Sequence, residues 1–209
     1  MTGAIGILGG TFDPVHIGHL RLALEMREAL ALDEVRLVPA RLPNLRDAPG
    51  ASAAARVAML ELALTDTTLV LDTRELSRDE PSYTIDTLQS LREEVGNRPL
   101  CFMLGQDAFN RLPDWHRWSE LLDYAHLVIA TRPGYAPPAD PRLQELLARA
   151  TNAAKLSQRP AGGIVLQPIP LLPVAATDLR ERLKAGRSID FLTPPRVVAY
   201  IKQHHLYSP

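Results

Sequence analysis

Cysteine is nearly absent from the 209 residues. Cys101 stands alone, so no disulfide within the chain and no thiolate zinc cluster can form. Its surroundings, Pro99-Leu100-Cys101-Phe102-Met103-Leu104, are apolar and read as a buried, inert thiol. Aromatic residues make up only 5%, which makes two tryptophans within four positions, Trp115 and Trp118, stand out. Neither sign of charge is in excess: 23 Lys and Arg against 24 Asp and Glu leave −1. That balance argues against a nucleic-acid coat or a polybasic membrane binder, while leaving room for a local anion site. There is no apolar run of about 18 residues to span a membrane. The start of the chain lacks the basic, apolar, small-residue order of a signal peptide. No repeat of about 20 to 50 residues is visible. What is present, 46% hydrophobic and 22% charged residues, is the composition of an ordinary globular protein. The expectation is a soluble, cytoplasmic protein with one domain over residues 1–209.

Short apolar runs alternate with helical stretches. Strands are predicted at 4–8, 35–38, 69–71, 100–104, 126–130 and 164–166. Helices are predicted at 17–31, 52–65, 84–95, 142–150, 177–185 and 195–205, with a broken helical region around Trp115 and little periodicity over 151–163. Thr84 is placed to cap the third helix, and Pro194-Pro195 suits the first turn of the last. Strands separated by helices imply right-handed βαβ units. Continuously apolar strands imply a sheet covered on both faces. The fold class is therefore α/β, a doubly wound parallel sheet, with ligands at the carboxyl ends of the strands.

The loop after the first strand reads Gly9-Gly10-Thr11-Phe12-Asp13-Pro14-Val15-His16-Ile17-Gly18-His19. Two glycines permit a sharp turn and close approach of a ligand. A helix beginning near Val15 or His16 would aim its N–H groups and positive end at that loop. His16 and His19, three apart, share a helix face with Gly18 leaving it open on one flank, and Thr11 adds a hydroxyl. Backbone amides, a hydroxyl and two imidazoles make an anion site. The spacing Gly-x-Gly-x-x-Gly of dinucleotide folds is absent, and so is the Gly-x-x-x-x-Gly-Lys-Ser/Thr of P-loops. A zinc site would need a third ligand that the spacing does not supply.

This block resembles the His-x-Gly-His motif of the nucleotidyltransferase superfamily, and Gly-Gly-Thr-Phe-Asp-Pro before it resembles the nicotinate-nucleotide adenylyltransferases. The likeness continues in Pro81-Ser82-Tyr83-Thr84-Ile85-Asp86-Thr87-Leu88, Leu104-Gly105-Gln106-Asp107, Trp115-His116-Arg117-Trp118, Arg132-Pro133-Gly134, and Tyr200-Ile201 through Leu206-Tyr207. It covers nearly the whole chain in order. It implies a Rossmann-like nucleotidyltransferase fold with C-terminal helices, and transfer of the AMP part of ATP to nicotinate mononucleotide. The products are deamido-NAD and pyrophosphate. It implies ATP as substrate, Mg²⁺ carried with the nucleotide, and small-molecule partners only, with neither nucleic acid nor membrane.

On this resemblance, cationic or hydrogen-donating His16 and His19 act on the ATP phosphates with Arg180, and these three are the catalytic set. Gly9, Gly10, Thr11, Phe12, Gly105, Asp107 and Thr177 complete the ATP site. Thr177 and Arg180 belong to Val174-Ala175-Ala176-Thr177-Asp178-Leu179-Arg180, a second phosphate site at a helix start; an ordinary capped helix is the alternative. Asp107 would accept from a ribose hydroxyl, with capping of the next short helix as its alternative. Trp115 would stack on the pyridine ring. Tyr83 and Thr84 would receive its carboxylate. Arg46 and Arg132 would add cations. Two positions depart from the family's pattern: Leu45 stands where it carries His, and Ala175 where it carries Ser. They leave open another mononucleotide acceptor, such as nicotinamide mononucleotide, or a nucleotide-binding protein of weak turnover. No acidic cluster suggests a metal held by the protein itself. His126, His204 and His205 read as structural or surface residues.

Overall fold

The computed structural model describes residues 3–41, 49–78, 81–131, 134, 136–170 and 172–208. Six strands lie in one sheet: β1 (Ile5–Gly10), β2 (Glu34–Pro39), β3 (Val70–Leu71), β4 (Leu100–Gly105), β5 (His126–Thr131) and β6 (Ile164–Pro168). Their order is β3-β2-β1-β4-β5-β6, so the winding reverses at β1 and β4. The pairs β1–β4, β4–β5 and β5–β6 are parallel, with Ile5 opposite Leu100, Phe102 opposite Leu127 and Val128 opposite Val165. The helices are α1 (Ile17–Ala29), α2 (Ala53–Leu64), α3 (Thr84–Val95), α4 (Gln106–Asn110), α5 (Leu121–Tyr124), α6 (Pro141–Ala148), α7 (Ala176–Lys184) and α8 (Pro195–Gln203). This is the α/β, doubly wound class expected. Residues 151–163, which lack a helical pattern, include a 3₁₀ stretch at Ala153–Gln158. No helix among the described residues is long and apolar enough to cross a membrane.

The chain gathers into two compact units. One holds Met1–Leu8, Leu24–Arg36 and Tyr83–Pro170; the other holds Gly9–Ala23, Leu37–Ser82 and Leu171–Pro209. In the first, β5 is buried along its whole length and β4 up to Leu104. Each fully buried Val, Leu or Ile there contributes roughly 1.5–3 kcal/mol, which is why these strands carry no alternation. Cys101 lies in this core, and burial pushes its thiol up to about 12, so it stays protonated and inert. Ile85, Leu88 and Leu91 bury one face of α3. From the same helix Arg92 donates to the carbonyls of Tyr124 (2.6 Å), Arg98 (2.7 Å) and Pro160 (2.8 Å). His126 accepts the Gly163 N–H at Nδ1 (2.8 Å) and donates from Nε2 to the Arg159 carbonyl (2.9 Å). Both ring nitrogens are thus used by the neutral form, as befits a structural histidine.

In the second unit α2 packs with α8, burying Met59, Leu60 and Ala63 on one helix and Val197, Val198 and Ile201 on the other. Ser52 caps α2 by accepting the Ala55 N–H at 3.2 Å. Arg56, on α2 and fully buried, donates to the carbonyls of Thr11 (2.8 Å), Ala40 (2.6 Å) and Arg41 (3.0 Å). It thereby holds the segments that follow β1 and β2. Burial lowers its pKa and the Asp13 carboxylate opposes that shift.

Candidate active site

The second unit carries the His-x-Gly-His segment. Gly9 and Gly10 are the last residues of β1, and neither has a positive φ. The turn expected of them is made instead by Phe12, at φ 50°, followed by a cis Asp13–Pro14 bond. Gly10 is needed for contact: a Cβ there would sit 3.1 Å from the Phe12 ring. That ring is buried, so Phe12 has its backbone to offer a ligand. Thr11 is half-buried, with its carbonyl on Arg56.

Helix α1 starts at Ile17, so His16 precedes it and His19 lies in its first turn. The two imidazoles still meet: their rings stack with centroids 3.7 Å apart and 22° between planes. The His16 N–H points at His19 Nδ1 (3.3 Å), which places the His19 proton on Nε2 as a donor. Phe12 meets His19 edge-on at 4.9 Å. A Cβ on Gly18 would lie 3.0 Å from the His16 ring and 3.2 Å from the Val174 carbonyl, so only glycine lets these groups close in. His16 is buried, and burial pushes its pKa down to about 4 against the opposing pull of Asp178. At neutral pH it is a neutral imidazole, not a cation, because desolvation disfavours the charged form. Its Nδ1 is buried without a hydrogen-bond partner among the described residues. A buried polar atom left over in this way costs about 1–3 kcal/mol, and a bound group that used it would recover that cost.

Helix α7 begins at Ala176, with Ala175 at the cap position and no side-chain cap. Thr177 is therefore inside the first turn and does not cap the helix. The first N–H groups of α7 have no partner from within the helix and are suited to an anion. Arg180, one turn on, donates Nη1 to the Asp13 carbonyl (2.7 Å) and Nη2 to Thr177 Oγ1 (3.4 Å). His16, His19, Thr177 and Arg180 are thus organised around one segment and one helix start of the same unit. Asp13 and Tyr207 lie in segments that carry the family likeness, but the sequence gives neither of them a role. The Tyr207 hydroxyl donates to Asp13 Oδ1 at 2.7 Å, a partnership across 194 positions that no local pattern announces. Burial, and then the Asp13 carboxylate, push the phenol up, so it remains a donor.

The first unit carries the other predicted residues. Helix α3 starts at Thr84, with Tyr83 at the cap position and no side-chain cap, so Thr84 does not cap it as expected. Here too the opening N–H groups lack a partner from within the helix. The Tyr83 ring lies 4.4 Å from that of His116. Trp115 is half-buried and edge-on to Phe102 at 6.1 Å; Trp118 lies under the Arg142 guanidinium at 5.9 Å. Gly105 ends β4 and precedes α4, where a Cβ would meet nothing within 4 Å and φ is −73°, so the fold makes no demand for glycine. Asp107 is exposed in the first turn of α4 and does not cap it, because Gly105 holds the cap position. Among the described residues no three or more His, Cys, Asp or Glu stand together as a metal's ligands. Arg46, Arg132 and the departing Leu45 lie outside the described residues.

A family model described as cytidylyltransferase-like matches residues 7–182. A protein of Aeromonas salmonicida, described as a probable nicotinate-nucleotide adenylyltransferase, is 50% identical over 206 residues, covering 97% of this chain and 96% of that one. A protein of Pseudomonas aeruginosa with the same description is also 50% identical over 206 residues, covering 97% and 96%. Among solved structures, the Plasmodium falciparum nicotinic acid mononucleotide adenylyltransferase complexed with NaAD shares the fold. Its TM-score is 0.76 at 21% identity, covering 98% of this chain and 97% of that one. With the stacked histidines, the open start of α7 and the parallel sheet, these relatives establish that the chain belongs to the cytidylyltransferase-like family and, within it, to the nicotinate-nucleotide adenylyltransferases.

Proposed function

We propose that the protein transfers the adenylyl group of ATP to nicotinate mononucleotide, forming deamido-NAD and pyrophosphate. The observation that carries the reading is the stacked His16–His19 pair, with Gly18 against Val174 just ahead of α7, whose start has no side-chain cap. In the reaction a phosphate oxygen of the mononucleotide attacks the α-phosphorus of ATP, and the bond to pyrophosphate breaks. The nucleophile is already an anion, so no strong base is required. Rate comes from positioning and from charge-matched donors. His19 serves as an Nε2–H donor and His16 as a neutral imidazole, because burial keeps its proton off until about pH 4. Arg180 supplies the fixed positive charge, with Thr177 and the first N–H groups of α7. Gly9, Gly10, Thr11 and Phe12 contribute backbone and hydroxyl contacts to the same nucleotide.

In the other unit, Gly105 leaves open space and Asp107 is free of capping duty, which suits a ribose hydroxyl. Tyr83 and Thr84 at the uncapped start of α3 suit the carboxylate, and Trp115 suits the pyridine ring. Arg46 and Arg132 are read as further cations for the substrates. Magnesium arrives on the triphosphate, since the described donor set forms no cage of its own. The test is pyrophosphate release from Mg-ATP with nicotinate and nicotinamide mononucleotides in parallel. Strong preference for the nicotinate form is expected. Preference for the amide would move the specificity, and release with neither would overturn the reading.

A further inference from the structure

Asp13 is buried, yet its carboxylate is not matched by one simple ion pair. Oδ2 accepts the Gly50 N–H (2.7 Å); Oδ1 accepts the Ala51 N–H (3.1 Å) and the Tyr207 hydroxyl (2.7 Å). Arg180 Nη1 donates to the Asp13 backbone carbonyl and stays 3.7 Å from Oδ2. Gly50 closes the cluster sterically. A Cβ there would lie 3.2 Å from the Tyr207 ring and 3.5 Å from Arg180 Cδ.

This arrangement has an electrostatic consequence. A buried carboxylate attracts a neighbouring guanidinium strongly unless other donors neutralise it. Here two amides and a phenol occupy its oxygens, so Arg180 makes its short bond to the neutral carbonyl and only a long ion pair with Oδ2, which leaves its guanidinium available to an anion. Without the Tyr207 hydroxyl, Oδ1 keeps only its longer bond to Ala51. The carboxylate would then draw Arg180 from its long 3.7 Å ion pair into a close one, away from the start of α7. We infer that Tyr207 and Asp13 are positioning residues for Arg180, making a tyrosine that follows α8 part of the ATP-phosphate apparatus. This rests on the reading of Arg180 as an ATP ligand.

Six proteins test it: the wild type, Tyr207→Phe, Gly50→Ala, Arg180→Lys, and each of the first two substitutions combined with Arg180→Lys. In each, KM for both substrates and the calorimetric Kd for ATP are measured. Thermal melting confirms folding, and Gly50→Ala provides a second route into the cluster. Tyr207→Phe is expected to raise KM and Kd for ATP on the order of tenfold, the scale of one lost hydrogen bond to a charged group, with KM for the mononucleotide unchanged. In the Arg180→Lys background the same substitution should add nothing further, because the residue it acts through is gone. Gly50→Ala should show the same dependence on Arg180. Equal effects of Tyr207→Phe in both backgrounds, or equal rises in KM for both substrates, would overturn the inference. A wild type that binds ATP with the expected coupling but transfers nothing to nicotinate mononucleotide would overturn the proposed reaction and leave the positioning role standing.

Discussion

Helices α2 and α6 begin differently from α3 and α7. Ser52 and Asp140 each accept an N–H of their own helix, from Ala55 at 3.2 Å and from Arg142 at 2.8 Å. Tyr83 and Ala175 hold the same position and cap nothing. A side-chain cap accepts one of the unpaired N–H groups and stabilises the protein; an uncapped start leaves all of them, and the positive end of the helix, without that partner. Among the starts without a side-chain cap, which include α4, α5 and α8 as well, α3 and α7 are the two to which the proposed reading assigns a carboxylate and a phosphate. Ala175, with no hydroxyl to offer at this start, sharpens the contrast.

The largest effect is expected beside these starts. His19→Ala should lower kcat by about 10²–10³, the scale for loss of one preorganised donor, while the protein still folds by circular dichroism. Full activity in that variant would separate the histidine pair from the chemistry. Next is a pH dependence. The folded His16 has its pKa pushed down to about 4 from 6.5, so between those values the unfolded chain binds more protons than the folded one. Stability from this group is complete above about pH 6.5 and should decline as pH falls toward 4, by at most about 1.4 kcal/mol per unit. Denaturant titrations across that window check it, and His16→Gln should flatten the slope. His126, also shifted down by burial, contributes to the residual slope in that variant, as do Glu120 and Asp140 near pH 4, whose arginine partners hold their pKa values down.

The smallest effects test the caps themselves. Ser52→Ala should cost about 1 kcal/mol of unfolding free energy with kcat unchanged. Ala175→Ser should do the reverse, adding a few tenths to about 1 kcal/mol and lowering KM for ATP a few-fold by restoring a hydroxyl. If Ala175→Ser stabilised the protein but raised KM, the hydroxyl would be competing with the ligand for the same N–H groups.

Local patterns in the sequence were enough for the order of strands and helices, because apolar runs and 3.6-residue periodicity are written in adjacent residues. They were enough also for pairing His16 with His19, although His16 lies ahead of α1 and the rings stack across the helix start instead of along a helix face. The inert Cys101 followed from its apolar neighbours. Other expectations failed where one atom's geometry decides. The turn after β1 belongs to Phe12 and not to the glycines, and Thr84 does not cap its helix. Tertiary structure alone decided that His16 is neutral, since burial is a property of everything packed around it. It alone joined Asp13 to Gly50, Arg180 and Tyr207, because hydrogen bonds across 37, 167 and 194 positions leave no periodic trace. The sequence by itself determined which chemical groups are available and on which elements they ride. Folding determined which of them lose water, which keep their charge, and which partner holds each in place.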